Sequence, residues 1–151
     1  MASIYIYTDG AARGNPGPSA SGYLIFDGKH SLLSKRAIFN GVKTNNFAEY
    51  MAVIKALGWV AANLGVKNSI NLYSDSELVV KQLNGQYRIK SREMQKLSNE
   101  AKRLSALFEE CRFFNVKREN KYISAVDKAI NRLLDNIEND KKAAHGKQAK
   151  L

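Results

Sequence analysis

The sequence predicts a single α/β domain in which helices flank a mixed five-stranded sheet. Its 151 residues suit one hydrophobic core, and 44% apolar with 25% charged residues is typical of a globular protein. Three strand patterns come first, and helical and strand patterns alternate after them. An antiparallel meander before alternating elements indicates a sheet that contains both antiparallel and parallel pairs.

The first three elements are predicted as strands from their alternating apolar residues, over residues 4–8, 22–26 and about 31–39. The first strand ends at Asp9, where a glycine-rich loop begins. The second and third are joined through Asp27-Gly28, a hairpin signal because glycine tolerates the positive φ that such turns require.

The later elements alternate in type. Apolar side chains at three-to-four spacing predict a long helix over about residues 46–63, with Gly65 as its stop. A fourth strand over residues 70–74 leads into a short helix that ends at Gly85. The remaining elements are predicted as a helix over about residues 92–108, a fifth strand over 112–118, a loop over 119–124 and a last helix near 124–137.

The C-terminal segment differs from the rest of the chain. From Glu138 onward it shows no apolar periodicity and contains four lysines. This pattern predicts a mobile or loosely helical basic tail. We therefore divide the chain into a domain over residues 1–137 and a tail over residues 138–151.

The charge balance points to a class of partner. Lysine and arginine outnumber aspartate and glutamate by 24 to 14, a net charge of +10, which favours a polyanionic partner, with solubility alone as the alternative. The single cysteine, Cys111, cannot form an internal disulfide. No segment approaches the roughly 18 apolar residues that span a bilayer. We expect a cytoplasmic monomer with no membrane partner.

Four carboxylates lie where predicted elements meet. Asp9 follows the first strand, Asp75 follows the fourth, Glu49 lies in the first turn of the long helix, and Asp127 lies near the start of the last helix. Each has an ordinary alternative, because Asp9-Gly10 could be a turn and the other three could belong to helix caps.

The predicted topology favours a common site for these carboxylates. If the first and fourth strands are neighbours, Asp9 and Asp75 leave adjacent strand ends at one edge of the sheet, and Glu49 and Asp127 reach that edge from helix N-termini. Four close carboxylates repel one another unless cations neutralise them. Ligands that are all oxygen suit Mg²⁺ or Mn²⁺ rather than zinc, in the arrangement of two-metal phosphodiester chemistry.

Several stretches resemble type 1 ribonuclease H, over nearly the whole chain to about Ile137. They are "YTDGAARGNPGP" at 7–18, "TNNFAEYMAVIKAL" at 44–57, "YSDSELVVKQLNG" at 73–85, and the pieces "VKREN" and "VDKAIN". The resemblance implies an RNase H-like fold and cleavage of the RNA strand of an RNA–DNA hybrid, leaving 5′-phosphate and 3′-hydroxyl ends. It implies two bound Mg²⁺ ions, with Mn²⁺ as a substitute. The catalytic and metal-binding set would be Asp9, Glu49, Asp75 and Asp127.

The resemblance also implies substrate-binding residues beside the carboxylates. Asn15, Asn45 and Asn46 carry short amides suited to the minor-groove edge and to sugar hydroxyls, with loop and cap chemistry as the alternative. Thr44 would help to hold a DNA phosphate. Gly10 would let the backbone approach a sugar–phosphate chain closely.

The chain departs from the family pattern in two places. The family's longer basic segment with tryptophans is absent, which makes this a short form, and no histidine lies between Val116 and Asp127. Members of the family often carry a histidine in this loop, where it assists product release or proton transfer. Arg118 or Glu119 is predicted to take its place, unless that step proceeds with less assistance in this protein. Asp135 is an alternative to Asp127 that would need a different helical register. Four residues are predicted to follow the DNA strand, with a solvated surface as the alternative: Lys81, Tyr87, Arg88 and Lys90.

Two other functions stay open from the sequence. One is a hybrid-binding module with weak or lost catalysis, which predicts a missing carboxylate, whereas all four are present. The other is a different nuclease on the same fold, against which the Asn45-Asn46 pair argues.

Overall fold

The computed structural model describes the backbone of residues 2–149 and the side chains of residues 2–144; Lys150 and Leu151 of the predicted tail lie outside the described residues. Five strands and four helices follow the order βββαβααβα, as predicted. Their bounds are β1 Ala2–Ala12, β2 Gly17–Phe26, β3 Leu32–Lys43, α1 Asn45–Leu64, β4 Asn68–Ser74, α2 Glu77–Leu83, α3 Arg92–Ser105, β5 Glu110–Asn115 and α4 Lys121–Ala149. No helix in the described part of the chain combines the length and the apolar character that a membrane crossing needs.

The five strands form one mixed sheet in the order β3-β2-β1-β4-β5. β1 pairs antiparallel with β2, and β2 pairs antiparallel with β3. β1 pairs parallel with β4, and β4 pairs parallel with β5. The predicted mixed sheet, with three antiparallel strands followed by parallel ones, is confirmed.

The end of β1 differs from the prediction. The strand does not stop at Asp9, because its antiparallel pairing with β2 continues as far as Ala12 opposite Ser19. Its parallel pairing with β4 ends earlier, at Thr8 opposite Ser74. Asp9 is therefore still paired with β2 on one side. On its other side the pairing with β4 has already ended, which leaves an opening in the sheet.

Helices cover the two faces of the sheet because side chains alternate along β1. Ile4 and Ile6 pack into a core with α1, α2 and α3, whereas Tyr7 faces the opposite core. α4 covers that second face with buried side chains such as Ile123 and Ile130. The sheet is thus held rigidly from both sides.

The turn between β2 and β3 lies where it was predicted, but the stated reason was wrong. The residue with positive φ is His30, at 62°, and Gly28 is not among the residues with positive φ in the described chain. The Asp27 carboxylate stabilises the turn by accepting hydrogen bonds from the backbone N–H groups of Lys29 and Ser31, both at 2.9 Å.

Helix ends follow local hydrogen bonding. α1 ends at Gly65, as predicted, where φ is 81°. α4 begins at Lys121 instead of near residue 124, because the Asn120 side chain accepts hydrogen bonds from the N–H groups of Tyr122 and Ile123. It also continues past the predicted end at Ile137 to Ala149. Alanine and lysine in this segment favour a helix even where no apolar stripe directs packing.

Candidate active site

Three carboxylates converge at the opening beside β1. Asp9, Glu49 and Asp75 each offer an oxygen atom, and these oxygens lie within 4.8 Å of one another. We call these three residues the acidic cluster. Asp9 belongs to β1, Asp75 follows the last residue of β4, and Glu49 lies in the second turn of α1.

Close packing of β1 against α1 brings Glu49 to Asp9. A side chain at Gly10 would collide with the backbone of Ala48 and Glu49, so only glycine fits there. Ser21 strengthens this contact by donating a hydrogen bond to the Ala48 carbonyl at 2.6 Å. Gly10 thus has a packing role that sequence reasoning missed, and its predicted approach to substrate stays a prediction.

The acidic cluster forms the wall of a cavity of about 290 Å³. Asp127, in the second turn of α4, lines the same cavity. In the described part of the chain, the group of carboxylates within 4.8 Å contains only the cluster's three members, so Asp127 lies further out. The other lining residues are Gly10, Ala11, Asn45, Asn46, Ser76 and Arg118.

Helix capping does not account for these acids. Thr44 is the N-cap of α1 and accepts a hydrogen bond from the N–H of Phe47 at 3.1 Å, so Glu49 lies beyond the capping positions. Ser76 caps α2 through its own side chain. Asp127 lies six residues after the first residue of α4. The capping alternative for Glu49, Asp75 and Asp127 is therefore wrong.

Burial makes the acidic cluster electrostatically costly. It raises the pKa of Asp9 to about 7, with a further contribution from the charge of Asp75. Burial, followed by the charge of Asp9, raises the pKa of Glu49 well above its ordinary value. The pKa of Asp75 is also raised by burial, although the positive charge of Arg118 opposes that shift.

Among residues 2–144, one carboxylate oxygen of Glu49 has no group that compensates its burial. Its Oε2 atom is buried and has no hydrogen-bond partner among the residues that the structure describes. An unpaired buried carboxylate oxygen costs several kcal/mol, on the order of 3, unless a cation compensates it. The donor set of carboxylate oxygens fits a hard divalent cation such as Mg²⁺ or Mn²⁺. Asp9, Glu49 and Asp75 are therefore the residues that could hold a metal ion.

Asn15 and Asn45, which we call the rim, are linked by a hydrogen bond between side chain and backbone. Asn45 lines the acidic cavity, whereas Asn15 is absent from its described lining. The Asn45 Oδ1 accepts from the N–H of Ala12 at 2.8 Å, and the Asn15 Oδ1 accepts from the N–H of Asn45 at 3.0 Å. Backbone N–H groups can only donate, so both amide oxygens are engaged. Within residues 2–144 neither side-chain NH₂ group makes a hydrogen bond, which leaves both as donors.

A second cavity begins at Asn46. It measures about 360 Å³ and is lined by Arg88 and Lys90 together with Leu78, Gln82, Ile89, Ser91 and Met94. Asn46 also lines the acidic cavity, so the two openings share a wall. Because Arg88 and Lys90 line it, we call this second cavity the basic groove; it shares Asn46 with the cavity of the carboxylates.

Lys81 and Tyr87 are occupied by a local contact. Lys81 Nζ lies 2.7 Å from a carboxylate oxygen of Glu77 and 3.3 Å from the Tyr87 hydroxyl. The ammonium group also lies 4.9 Å from the centre of the Tyr87 ring. Neither residue belongs to the described lining of the two cavities.

Arg118, Glu119 and Asp135 differ in whether they line the acidic cavity. Arg118 lines the acidic cavity, whereas Glu119 is exposed and is absent from the described lining. Asp135 forms an ion pair with Arg13 at 2.7 Å, and it does not replace Asp127 in the described cavity. The Arg13 contact was missed because its partners lie more than 100 residues away in the sequence.

Comparison with known proteins gives one consistent result. A family model described as reverse transcriptase-like matches residues 7–130. Ribonuclease HI of Halobacterium salinarum is 36% identical over 115 residues, which cover 76% of this chain and 57% of that protein. The chain therefore spans little more than half the length of this curated relative.

Solved structures match over nearly their full length. The N-terminal RNase H domain of a Mycobacterium tuberculosis protein, solved as a fusion with maltose binding protein, gives a TM-score of 0.84 at 30% identity, covering 93% of this chain and 99% of that chain. LC11-RNase H1 in complex with an RNA/DNA hybrid gives 0.76 at 33% identity, covering 87% and 99%. Since a family model spans most of the chain, and RNase H structures at least 30% identical are covered over almost their full length, the chain belongs to the type 1 ribonuclease H family.

Proposed function

We propose that this protein is an endoribonuclease that hydrolyses the RNA strand of RNA–DNA hybrids, leaving 5′-phosphate and 3′-hydroxyl ends. The observation that carries the proposal is the acidic cluster, in which the buried Glu49 Oε2 has no partner among the described residues. A site that is costly when empty and made only of carboxylates suits catalysis by divalent cations. LC11-RNase H1, which is 33% identical, was solved with an RNA/DNA hybrid.

Asp9, Glu49, Asp75 and Asp127 are the proposed metal ligands. Two Mg²⁺ ions, with Mn²⁺ as a substitute, would supply the charge that activates the attacking water and stabilises the departing oxygen. Asp9 lies on β1 and Asp75 directly follows β4, the parallel neighbour of β1, so the sheet holds their carboxylates in place before any ion arrives. Asp127 comes from a separate helix, so its position depends on the packing of α4.

Arg118 is the proposed auxiliary residue. It lines the cavity of the carboxylates, and its positive charge lowers the pKa of Asp75 against the effect of burial. A guanidinium group at this position favours the ionised form of Asp75 and can also donate hydrogen bonds to a phosphate oxygen. Arg118 therefore takes the place of the loop histidine of other family members, rather than Glu119.

Asn15, Asn45 and Asn46 are the proposed contacts to the RNA strand. The NH₂ groups of Asn15 and Asn45, which make no hydrogen bond within residues 2–144, can donate to sugar hydroxyl oxygens and to acceptors on the minor-groove edge. The 2′-hydroxyl distinguishes RNA from DNA at one nucleotide, so this edge of the site would select the cleaved strand.

Thr44 and the basic groove are the proposed contacts to the DNA strand. The Thr44 hydroxyl accepts a hydrogen bond from Phe47 and still has its own proton to donate to a phosphate. Arg88 and Lys90 line the groove that begins at Asn46. Lys81 and Tyr87 are engaged with Glu77, so we assign them a smaller part. A monomeric state, a cytoplasmic location and a separate role for residues 138–151 stay predictions.

A panel of matched duplexes tests this function. We expect cleavage of the RNA strand in an RNA–DNA duplex with Mg²⁺ or Mn²⁺, no cleavage of DNA–DNA, and no cleavage of any duplex in EDTA; an RNA–RNA duplex in the panel measures activity on double-stranded RNA. Asp140→Asn removes an exposed carboxylate of α4 and serves as the control for Asp9→Asn. Products that accept no further 5′-phosphate from a kinase would show the predicted ends.

Two outcomes would favour the alternatives. Hybrid binding in Mg²⁺ without cleavage would indicate a binding module that lacks catalysis. Cleavage of DNA–DNA at least as fast as the hybrid would indicate a different nuclease on the same fold.

A further inference from the structure

Arg13 links the turn between β1 and β2 to helix α4. Its Nη2 atom lies 2.7 Å from the Asp135 carboxylate, and its Nη1 atom lies 3.1 Å from the Glu138 carboxylate. The Nη2 atom also donates to the backbone carbonyl of Asn131 at 3.2 Å and to the Asn131 side-chain oxygen at 3.3 Å. One guanidinium group is thus held at three positions of a single helix.

The spacing of these partners makes the contact specific. Residues 131, 135 and 138 follow the i, i+4, i+7 pattern and therefore share one face of α4. The planar guanidinium reaches all three at once, which a lysine ammonium group could not do in the same geometry. The contact fixes both the distance and the orientation of the turn relative to the helix.

Stability alone gives little reason for this contact. The side chains of Arg13, Asp135 and Glu138 are 29%, 62% and 42% exposed, and ion pairs of such exposure contribute little to folding. α4 is already held by its buried apolar face, which includes Val126 and Ile130. A positional role explains why three α4 residues converge on one arginine of a turn.

The turn that Arg13 holds carries the proposed recognition amides. The backbone N–H of Arg13 donates to the Pro18 carbonyl at 2.8 Å and closes the turn around Asn15. The preceding residue, Ala12, donates to Asn45 at 2.8 Å, and Asn45 donates to Asn15 at 3.0 Å. Arg13 therefore lies between the amide pair on one side and α4 on the other.

The same contact reaches the helix that supplies Asp127. The Asn131 side chain donates to the Asp127 carbonyl at 3.0 Å, and its carbonyl groups accept from Arg13. Hydrogen bonds on either side of the covalent Ala12-Arg13 link thus connect Asn45 and Asn15 to the backbone carbonyl of Asp127, the α4 residue that lines the acidic cavity.

We propose that Arg13 is a positioning residue that sets the amide groups of Asn15 and Asn45 against α4, and so aligns the RNA strand with the carboxylates. The proposal rests on the proposed function, because it assigns the recognition edge of that same site. Arg13 itself uses its guanidinium on α4, so it acts through Asn15 and Asn45 rather than by contacting substrate.

The kinetic test separates positioning from stability. Arg13→Ala is expected to raise the KM for a hybrid about tenfold and to change kcat less than about threefold, since the acidic cluster stays intact. Arg13→Lys should recover only part of the loss, because it keeps the charge without the planar fork. Asp135→Asn combined with Glu138→Gln should reproduce the effect from the helix side, and adding Arg13→Ala to this pair should change KM little further.

Arg103→Ala is the matched control. Arg103 forms an exposed ion pair with Glu100 on α3, at 2.6 Å, away from both cavities. A similar melting-temperature change in the two arginine variants, with KM raised only in Arg13→Ala, would support positioning. An unchanged KM in Arg13→Ala and in the Asp135→Asn, Glu138→Gln pair would overturn it.

Hydrogen exchange keeps this test independent of catalysis. The backbone amides of Ala12 and Asn45 should exchange faster in Arg13→Ala and stay protected in Arg103→Ala, whether or not hybrid is cleaved. Unchanged exchange at both amides would contradict the positioning role. Faster exchange in Arg13→Ala, combined with a wild-type protein that cleaves no hybrid, would instead count against the proposed function alone.

Discussion

The acidic cluster and the turn that carries Asn15 lie beside the same strand but are built differently. Asp9 and Glu49 are buried on central elements, and their positions follow from sheet pairing and from the contact of Gly10 with α1. Asn15 and Asn45 are exposed and are held by side-chain hydrogen bonds. A rigid buried site favours chemistry, whereas an exposed hydrogen-bonded rim favours recognition. Changes in the two regions should therefore affect different kinetic constants.

Loss of a cluster carboxylate is the largest expected effect. Asp9→Asn or Asp75→Asn should lower kcat about a thousandfold or more, because roughly 4 kcal/mol of transition-state stabilisation is removed. Steady-state cleavage of a labelled hybrid, with circular dichroism to verify folding, measures this. A kcat within tenfold of wild type would show that the cluster is not the catalytic centre.

Asp127→Asn sharpens the comparison within the acidic cavity. Asp127 lines the cavity but lies outside the close group of three. Its amide variant should lose less activity than Asp9→Asn, about a hundredfold, and excess Mn²⁺ should recover part of it. The same assay at increasing Mn²⁺ concentration measures this, and Asp140→Asn, which removes an exposed carboxylate of the same helix, serves as the control. Equal losses of kcat in Asp9→Asn and Asp127→Asn would show that the more buried carboxylate does not contribute more to catalysis.

Metal-free stability should reveal the burial of the cluster. The pKa of Asp9 is about 7 in the fold and 3.8 ordinarily, so between these pH values the folded state binds a proton that the unfolded chain has released. Stability from this group is therefore lost as the pH rises through that window.

Thermal unfolding in EDTA measures this effect. Between pH 5 and pH 8 the wild type should lose about 5 °C or more relative to Asp9→Asn, in which the charge cannot form. Added Mg²⁺ or Mn²⁺ at pH 8 should raise the melting temperature of the wild type and not of Asp9→Asn. Identical pH profiles for the two proteins would mean that Asp9 ionises freely in the fold.

Asn45→Ala addresses the rim. It should raise the KM for a hybrid about tenfold with kcat nearly unchanged, since one or two hydrogen bonds to substrate are lost and the carboxylates remain. Asn63→Ala, at the other end of α1, is the control, because its side chain bonds only the Trp59 carbonyl among described residues. A fall in kcat without a change in KM would break the distinction between rim and cluster.

The tail should have the smallest effect. Deleting residues 141–151 removes four lysines and should weaken hybrid binding and reduce its salt dependence, because fewer counterions are released. Fluorescence anisotropy of a labelled hybrid across salt concentrations, with the cleavage-deficient Asp75→Asn protein, measures the slope. An unchanged slope would exclude the tail from binding.

Periodicity and short motifs predicted the element order, the mixed sheet and the stop of α1 at Gly65. They did not predict that β1 continues past Asp9, because that depends on its longer pairing with β2 than with β4. The early start of α4 depends on a side-chain cap by Asn120, which competes with many similar polar residues in a sequence. The local sequence pattern is thus enough to predict which helices and strands form. Where each one begins and ends depends on the residues that it pairs with elsewhere in the fold.

The site shows the same division. The four carboxylates could be named from the sequence because each lies near the end of a predicted element and in a stretch that resembles type 1 ribonuclease H, and the fold brings them into one cavity. The orphaned oxygen of Glu49 and the contact of Gly10 with Ala48 depend on packing between distant segments. The partners of Arg13 on α4 lie beyond any local pattern.

Anomalous scattering from a Mn²⁺-soaked crystal tests the central claim most directly, because it locates and counts the ions. We expect two manganese peaks in the cavity of the acidic cluster, with Glu49 and Asp127 on different ions and Asp9 and Asp75 close to both. Peaks should be lost in Asp9→Asn crystals soaked identically. A crystal of protein that cleaves hybrid in the same Mn²⁺ buffer, yet shows no manganese among these carboxylates, would contradict the account.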